Sequence, residues 1–428
     1  MFADTLALVT MPRRLLVDAA PLRRSSAFRR YWIGSGLSAV GTQMTLFAVT
    51  YQVFTLTNSS LAVGGVGLCA AVPAIAFGML GGSIGDAADR RKIVLHSSLG
   101  LAAVSALFAV QAILDLRQLW LLYVLAVVEA LIVSINVPAR RAFTPRLLPA
   151  ELLPAGAALN MMTMHLSNTV GPLLAGVVAA VWGLKACYVI DVLSFGAALY
   201  GVFRLPPMPP EGALAKPGLK SVVAAVGFIR GSQVLTGAVL ADLFAMALGA
   251  PFALFPAINA AFFGGGPQTL GLLNAGPAIG GVLGSMLSGP VGHVSRQGRA
   301  MLLAGIGWAV TLVGFGLSTT LWLSVALLVV GGACDVISVV FRTTILQVAT
   351  PDRYRSRVGA AEYVVGYGGS QLGNFRAGAV ASLTTPRLSA VIGGLSTIAG
   401  AAALWRGLPG FAAFRAEIAF PDDQATTR

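Results

Sequence analysis

The sequence predicts an all-α membrane protein of twelve transmembrane helices arranged as two similar six-helix halves. Three observations lead there: a composition that no soluble core can hide, a regular series of apolar stretches, and a repeat relating the first half to the second. Of the 428 residues, 56% are hydrophobic and only 11% are Asp, Glu, Lys or Arg, whereas soluble domains carry roughly 25% charged residues. The mean hydropathy is +0.81. A helix needs about 20 mainly apolar residues to cross the hydrocarbon core, so twelve crossings joined by short loops use most of the chain.

The N-terminal stretch, residues 1 to 26, has basic residues but lacks a compact apolar core followed by a small-residue cleavage site. It reads as a cytoplasmic arm held inside by Arg23, Arg24, Arg29 and Arg30, with the first crossing as insertion signal. Crossings in the first half fall at about 30–54, 61–84, 94–114, 119–138, 157–182 and 185–203. Pro206, Pro207, Pro209 and Pro210 then break any helix, and Lys216, Lys220 and Arg230 follow, the pattern of a cytoplasmic linker and an interfacial helix. The second half places crossings at about 234–262, 269–290, 300–317, 321–341, 358–383 and 388–408. The domains are therefore residues 1–204, a linker at 205–232, and residues 233–428 with a cytoplasmic tail.

Charge fixes the expected orientation. With both termini inside, only Arg117, Lys185 and Arg387 lie outside and Arg376 within the membrane, the rest of the 29 Lys and Arg falling on the cytoplasmic face, as the positive-inside rule requires. The net charge of +13 is thus topological, because the basic clusters lie between apolar runs without interleaved stacking aromatics. No nucleic acid partner is expected. Cys69, Cys187 and Cys334 stand alone in apolar stretches and lack the spacing of a zinc or redox motif.

Two ordered sets of matches support duplication. Gly67-Leu68, Ala71 and Pro73-Ala74-Ile75 recur as Gly271-Leu272, Ala275 and Pro277-Ala278-Ile279, and Pro149, Gly171 and Gly176 recur as Pro351, Gly373 and Gly378. Duplicated halves around a central path are typical of secondary transporters.

After the second crossing, Gly82-Ser83-Ile84-Gly85-Asp86-Ala87-Ala88-Asp89-Arg90-Arg91-Lys92 resembles the signature loop of the major facilitator superfamily. Glycine allows close helix approach, Asp86 suits the positive end of a neighbouring helix, and Arg90 and Arg91 suit carboxylates or lipid phosphates. Ala87 and Asp89 stand where the family pattern has Arg and Gly. In crossing five, Gly171-Pro172-Leu173-Leu174-Ala175-Gly176 is similar to the glycine-proline motif of exporters in that superfamily, with Asn168 and Ala175 departing from its fullest form. Phe28 to Trp32, Pro138 to Leu147, Tyr188 to Phe195 and Gln347 to Pro351 extend the resemblance to the branch containing exporters of enterobactin and other siderophores, and related drug efflux proteins. The resemblance implies a major facilitator fold and export of a bulky amphiphile driven by the proton gradient. Relatives often carry an acid near Thr42 and a glutamate at Asn374, so no coupling role transfers to those positions.

Coupling requires a proton-accepting group inside the membrane, where ionisable residues are functional candidates by default. Five carboxylates qualify: Glu129, Asp191, Asp242, Asp335 and Glu362. Glu129 lies near the middle of crossing four and Asp242 in crossing seven, and these two are the first choices. Asp335 and Arg342, seven apart on one helix face, suit a buried charge cluster. Asp191 suits an interhelical hydrogen bond as well as coupling, and Glu362 suits pairing with arginines. Gln43, Gln52, Asn160, His165, Asn274 and Gln371, with Tyr51, are candidates to line the substrate cavity, and Arg376 could meet an anionic substrate or an acidic neighbour.

No phosphate-binding glycine loop or His-Glu-x-x-His metal site is present in the sequence, and no nucleophile stands with a convincing base. No enzyme activity, cofactor or metal is expected. The expected partners are a small-molecule substrate, protons and membrane lipids, and the expected state is a monomer in the inner or plasma membrane. Two other readings stay open: a multidrug or macrolide exporter, and a membrane sensor that kept the fold without transporting.

Overall fold

The computed structural model describes residues 18–77, 89–209, 226–286, 294–351, 354, 358–359, 361–362 and 364–415. Among them, twelve helices run for at least fifteen residues. The first six are α1 (Ser26–Thr57), α2 (Ser60–Phe77), α3 (Arg90–Ile113), α4 (Leu119–Arg141), α5 (Leu153–Trp182) and α6 (Leu184–Phe203). The second six are α7 (Gln233–Gly249), α8 (Pro267–Met286), α9 (Gln297–Leu317), α10 (Leu321–Ala349), α11 (Gly369–Leu383) and α12 (Pro386–Gly407).

Local chemistry sets many of the helix ends. Ser25 accepts the Phe28 N–H at 3.1 Å and Asp89 accepts the Arg91 N–H at 2.9 Å, capping α1 and α3 and satisfying amides that have no partner within the helix. Ser232 and Thr385 cap α7 and α12 in the same way. Gly183 joins α5 to α6 at φ +80°, a conformation that favours glycine.

The seventh crossing is not the continuous helix expected from its apolar run. It stops at Gly249, passes through a short 3-10 turn at Phe252–Leu254 and resumes at Phe255–Phe262. Pro251 supplies no N–H, and Ala250 before it is extended at ψ 117°, as a residue preceding proline prefers. Crossing eleven likewise carries a π-helical turn, Val364–Gly368, directly before α11.

Packing repeats with the sequence. Within the first six helices, α1 packs on α5 and α6, α2 on α4, and α3 on α4 and α6; each pairing recurs six helices later, from α7 with α11 and α12 to α9 with α10 and α12. Two symmetric seams join these groups, α2 against α11 and α5 against α8. The repeated glycines sit in them. A Cβ on Gly67 would come within 2.8 Å of the Gln371 carbonyl, and one on its counterpart Gly271 within 2.7 Å of the Pro172 carbonyl. Close backbone approach across small residues is how helices pack where lipid removes the hydrophobic incentive.

Eight helical stretches among the described residues are long and apolar enough, by length and composition, to cross a membrane. Of the other long helices, α2, α8 and α11 lie in the seams, and α1 lines the interior with them.

Candidate functional site

A cavity of about 430 Å³ lies between the two groups of helices, within the range of small-molecule sites. From the first group, α1 contributes Gln43, Phe47 and Thr50, α2 contributes Val63, Val66 and Gly67, and α5 contributes His165, Asn168 and Pro172. From the second, α7 and the turn after it contribute Met246, Ala250 and Phe252, α8 contributes Asn274 and Pro277, α9 contributes Trp308, and α10 contributes Asp335. Ser370, Gln371 and Asn374 of α11 close the ring. The lining is apolar and aromatic, with amides at intervals and one carboxylate.

Several polar groups are already positioned by neighbours. Gln43 donates to Asn168 across α1 and α5. Asn274 donates to the Leu270 carbonyl of its own helix at 2.9 Å, and Asn374 accepts the Ala253 N–H at 3.3 Å, satisfying an amide freed by the break after α7. Asp335 forms no hydrogen bond or ion pair with any described residue.

The expected cavity residues divide. Gln43, His165, Asn274 and Gln371 line it. Tyr51 instead donates to the Gly265 carbonyl at 3.1 Å, bridging the two groups of helices at one end of the bundle. Asn160 donates to Thr144 at 2.9 Å, and Gln52 forms a reciprocal amide pair with Gln111 while accepting from Tyr188 at 2.7 Å. Arg376 packs its guanidinium beside Gly393 of α12, off the lining. These polar groups are used in joining helices, which sequence spacing alone does not reveal.

The five carboxylates also separate into distinct environments. Asp242 of α7 pairs with Arg342 of α10, whose Nε lies 3.2 Å from a Glu362 oxygen. Two acids thus share one guanidinium, and the Asp242 oxygen Oδ2 is buried without a partner. The expectation that Asp335 joins Arg342 fails: seven residues of helix separate them by about 10 Å along the axis, and the partners of Arg342 come from other elements. Asp191 of α6, only 1% exposed, accepts from Thr45 at 2.8 Å and Ser105 at 2.7 Å, with Ser194 at 3.4 Å. Gly41 of α1 leaves the room for it. Glu129 of α4 is half-buried in the same region and lies off the cavity lining.

Gly82 and Asp86 of the signature loop lie outside the described residues. Arg91 donates to the Phe203 carbonyl at 2.6 Å and lies over the Phe203 ring, while the Arg90 N–H bonds the Met208 carbonyl. In this conformation Arg91 is engaged by the end of α6 rather than by the second group of helices. In the exporter-like motif, Pro172 lines the cavity, Gly171 packs on Gln43, and a Cβ on Gly176 would come within 2.7 Å of the Pro267 carbonyl.

Asn168, Asn374 and Trp308 are lining residues that sequence reasoning did not nominate. A signal existed for the first two, because both stand where the chain departs from its relatives' pattern. No periodicity marked Trp308.

A family profile described as transmembrane secretion effector matches residues 17–421. The enterobactin exporter EntS of Citrobacter koseri is 28% identical over 387 residues, covering 90% of this chain and 92% of the relative. The nucleoside transporter NupG superposes with a TM-score of 0.69 at 13% identity, over 89% of this chain and 98% of its own. A POT family transporter in complex with 5-aminolevulinic acid gives 0.71 at 10% identity, over 90% and 97%. At these identities the solved structures speak to the fold.

Proposed function

The chain belongs to the transmembrane secretion effector family of the major facilitator superfamily, and from that premise we propose that it is a secondary active exporter of a small amphiphilic molecule, siderophore-like in size and amphiphilicity. The observation that carries this reading is the cavity between two symmetric groups of helices, lined by both and holding one unpaired carboxylate. A relative similar to 90% of this chain is an enterobactin exporter, which supports outward transport.

In this proposal residues 1–204 and 233–428 are the two moving halves, joined by 205–232, with both termini cytoplasmic. Arg117, Lys185 and Arg387 occupy the end of the bundle that also carries Asn58, Gly183 and Gly265, which becomes the exterior. Tyr51 bonds Gly265, and Gly176 and Gly378 meet the opposite half at that end, which supports reading the conformation as closed toward the exterior. Rocking about the α2–α11 and α5–α8 seams would open it there and close the other end, giving alternating access.

Proton antiport is the proposed coupling. Asp335 stands in the substrate path, and the Asp242, Arg342 and Glu362 cluster lies about two helical turns along α10 from it. With two acids on one base, that cluster has one carboxylate in excess, able to gain and lose a proton as the helices move. The signature loop, Gly82 to Arg91, would bias the state that closes the cytoplasmic end.

The test is proton-gradient-driven uptake into inside-out vesicles containing the purified protein, comparing metal-free enterobactin with a lipophilic dye. Enterobactin uptake abolished by collapsing the gradient supports the proposal. Uptake of dye alone moves the reading to multidrug efflux. Uptake of neither overturns export and favours a non-transporting sensor.

A further inference from the structure

The electrostatics of the cavity deepen the export reading, on which this inference rests, by limiting the charge of the substrate. Among the described residues, every one that lines the cavity is apolar, amide, hydroxyl or glycine except His165 and Asp335; no described Lys or Arg is among them. The arginines of α10 and α11, Arg342 and Arg376, lie off the lining. Arg342 is committed to Asp242 and Glu362, and Arg376 lies against α12. Asp335 has no partner among the described residues, so its charge faces the cavity uncompensated by a fixed cation. The break after α7 presents a carbonyl end at Ala250 and an N–H end at Phe252–Ala253 to the same space, so the partial negative charge of one helix end and the partial positive charge of the next offset each other. The fixed charge of the site is therefore that of Asp335.

We infer that the cavity takes an amphiphile without net negative charge, seating its most electropositive group on Asp335 and its apolar body against Phe47, Phe252 and Trp308. An anion would enter a low-dielectric space whose one fixed charge among the described residues repels it, and none of those residues offers a guanidinium or ammonium in return. A cation replaces the water it loses with a carboxylate that has no other partner. The neighbouring amides, Asn168, Asn274 and Gln371, serve neutral carbonyl and hydroxyl groups and discriminate little between signs of charge. This excludes polyanionic metal chelates from the substrates, whatever the skeleton, and admits their neutral metal-free forms.

Tetraphenylphosphonium and tetraphenylborate have nearly the same size and shape and opposite charge, so they isolate this term. Their binding is measured separately, by equilibrium dialysis against the full-length protein in nanodiscs, with empty nanodiscs subtracted. The expected result is at least about tenfold tighter binding of the phosphonium. Asp335→Asn should bring the two within about threefold, and Asp335→Glu should restore the preference. Equal or tighter binding of the borate by the unaltered protein overturns the inference, as does a preference unchanged in Asp335→Asn, or binding of neither ion. A monodisperse size-exclusion profile for each variant separates loss of the carboxylate from loss of fold. Because this assay uses no gradient, its outcome is independent of the vesicle test. A charge preference without uptake would sink export alone, and uptake without the preference would sink this inference alone.

Discussion

At the scale of single residues, the buried acids differ in what holds them, and the difference predicts separable phenotypes. Arg342 neutralises Asp242 and Glu362 together, so Arg342→Ala leaves two carboxylates crowded in apolar surroundings. Breaking a buried pair from one side costs about 3–5 kcal/mol. The thermal midpoint of the detergent-purified variant should fall by several degrees, and adding Asp242→Asn and Glu362→Gln should recover most of the loss. If the triple variant is no more stable than Arg342→Ala, the cluster does not act as a unit. Asp191 has no cation and is held by hydroxyl donors. Asp191→Ala strands the Thr45 and Ser105 hydroxyls and should cost about 1–3 kcal/mol, seen in the same melting assay. Asp191→Asn keeps an acceptor and lies off the cavity, so it should retain uptake in inverted vesicles, whereas Asp335→Asn should lose most of it. The sequence made all five acids candidates through their depth in apolar runs. It could not sort them, because Asp242 finds Arg342 across a hundred residues of chain and Asp191 finds Thr45 across 146.

At the scale of helices, legibility followed periodicity and failed at local breaks. The apolar runs and basic clusters placed most helix ends within a few residues, since length and charge are set by the bilayer itself. The run at 234–262 read as one crossing because hydropathy does not register a missing N–H; Pro251 was the available signal. The seam residues were visible only as a repeat. Their spacing showed that Gly67 matches Gly271 and that Gly176 matches Gly378, and the structure supplies the reason: each glycine lets backbone from the opposite half approach closely. That contact makes a further expectation. Gly176→Val would drive its side chain into the Pro267 carbonyl and the Gly271 Cα, prising apart α5 and α8 at the closed end while leaving contacts within each half intact. In a background lacking Cys69, Cys187 and Cys334, a cysteine placed at the cavity residue Thr50 should then react several-fold faster with an impermeant maleimide added from outside the cell. An unchanged rate would mean that this seam does not hold the outer end shut.

For the molecule as a whole, the proposed cycle is a balance between two closures, and in the present conformation the two groups of helices meet at one end through a short set of contacts. At one end the halves meet through close backbone approaches, and a side-chain hydrogen bond runs from Tyr51 to the Gly265 carbonyl. That bond joins α1 to a turn 214 residues away, so the fold class was readable from composition and duplication, but the conformational state was not. Nothing in the pattern around Tyr51 separates a cavity aromatic from a latch. Tyr51→Phe keeps the ring packed on Phe47, 6.1 Å away between centroids, and removes only the hydroxyl. A typical hydrogen bond contributes about 1 kcal/mol net, and the Gly265 carbonyl at a helix-linking turn can turn to water. The expected consequence is a shift of roughly fivefold in the equilibrium between the two closures, without loss of thermal stability within each half. Spin labels placed at the exterior ends of α1 and α8 would read it as growth of the longer-distance population in pulsed electron resonance. If the distance distribution does not change, the seams alone hold the exterior closed and the hydroxyl is incidental. If the longer population grows while uptake into inverted vesicles slows, the latch belongs to the transport cycle, because over-populating one closure taxes binding from the other side by the same factor.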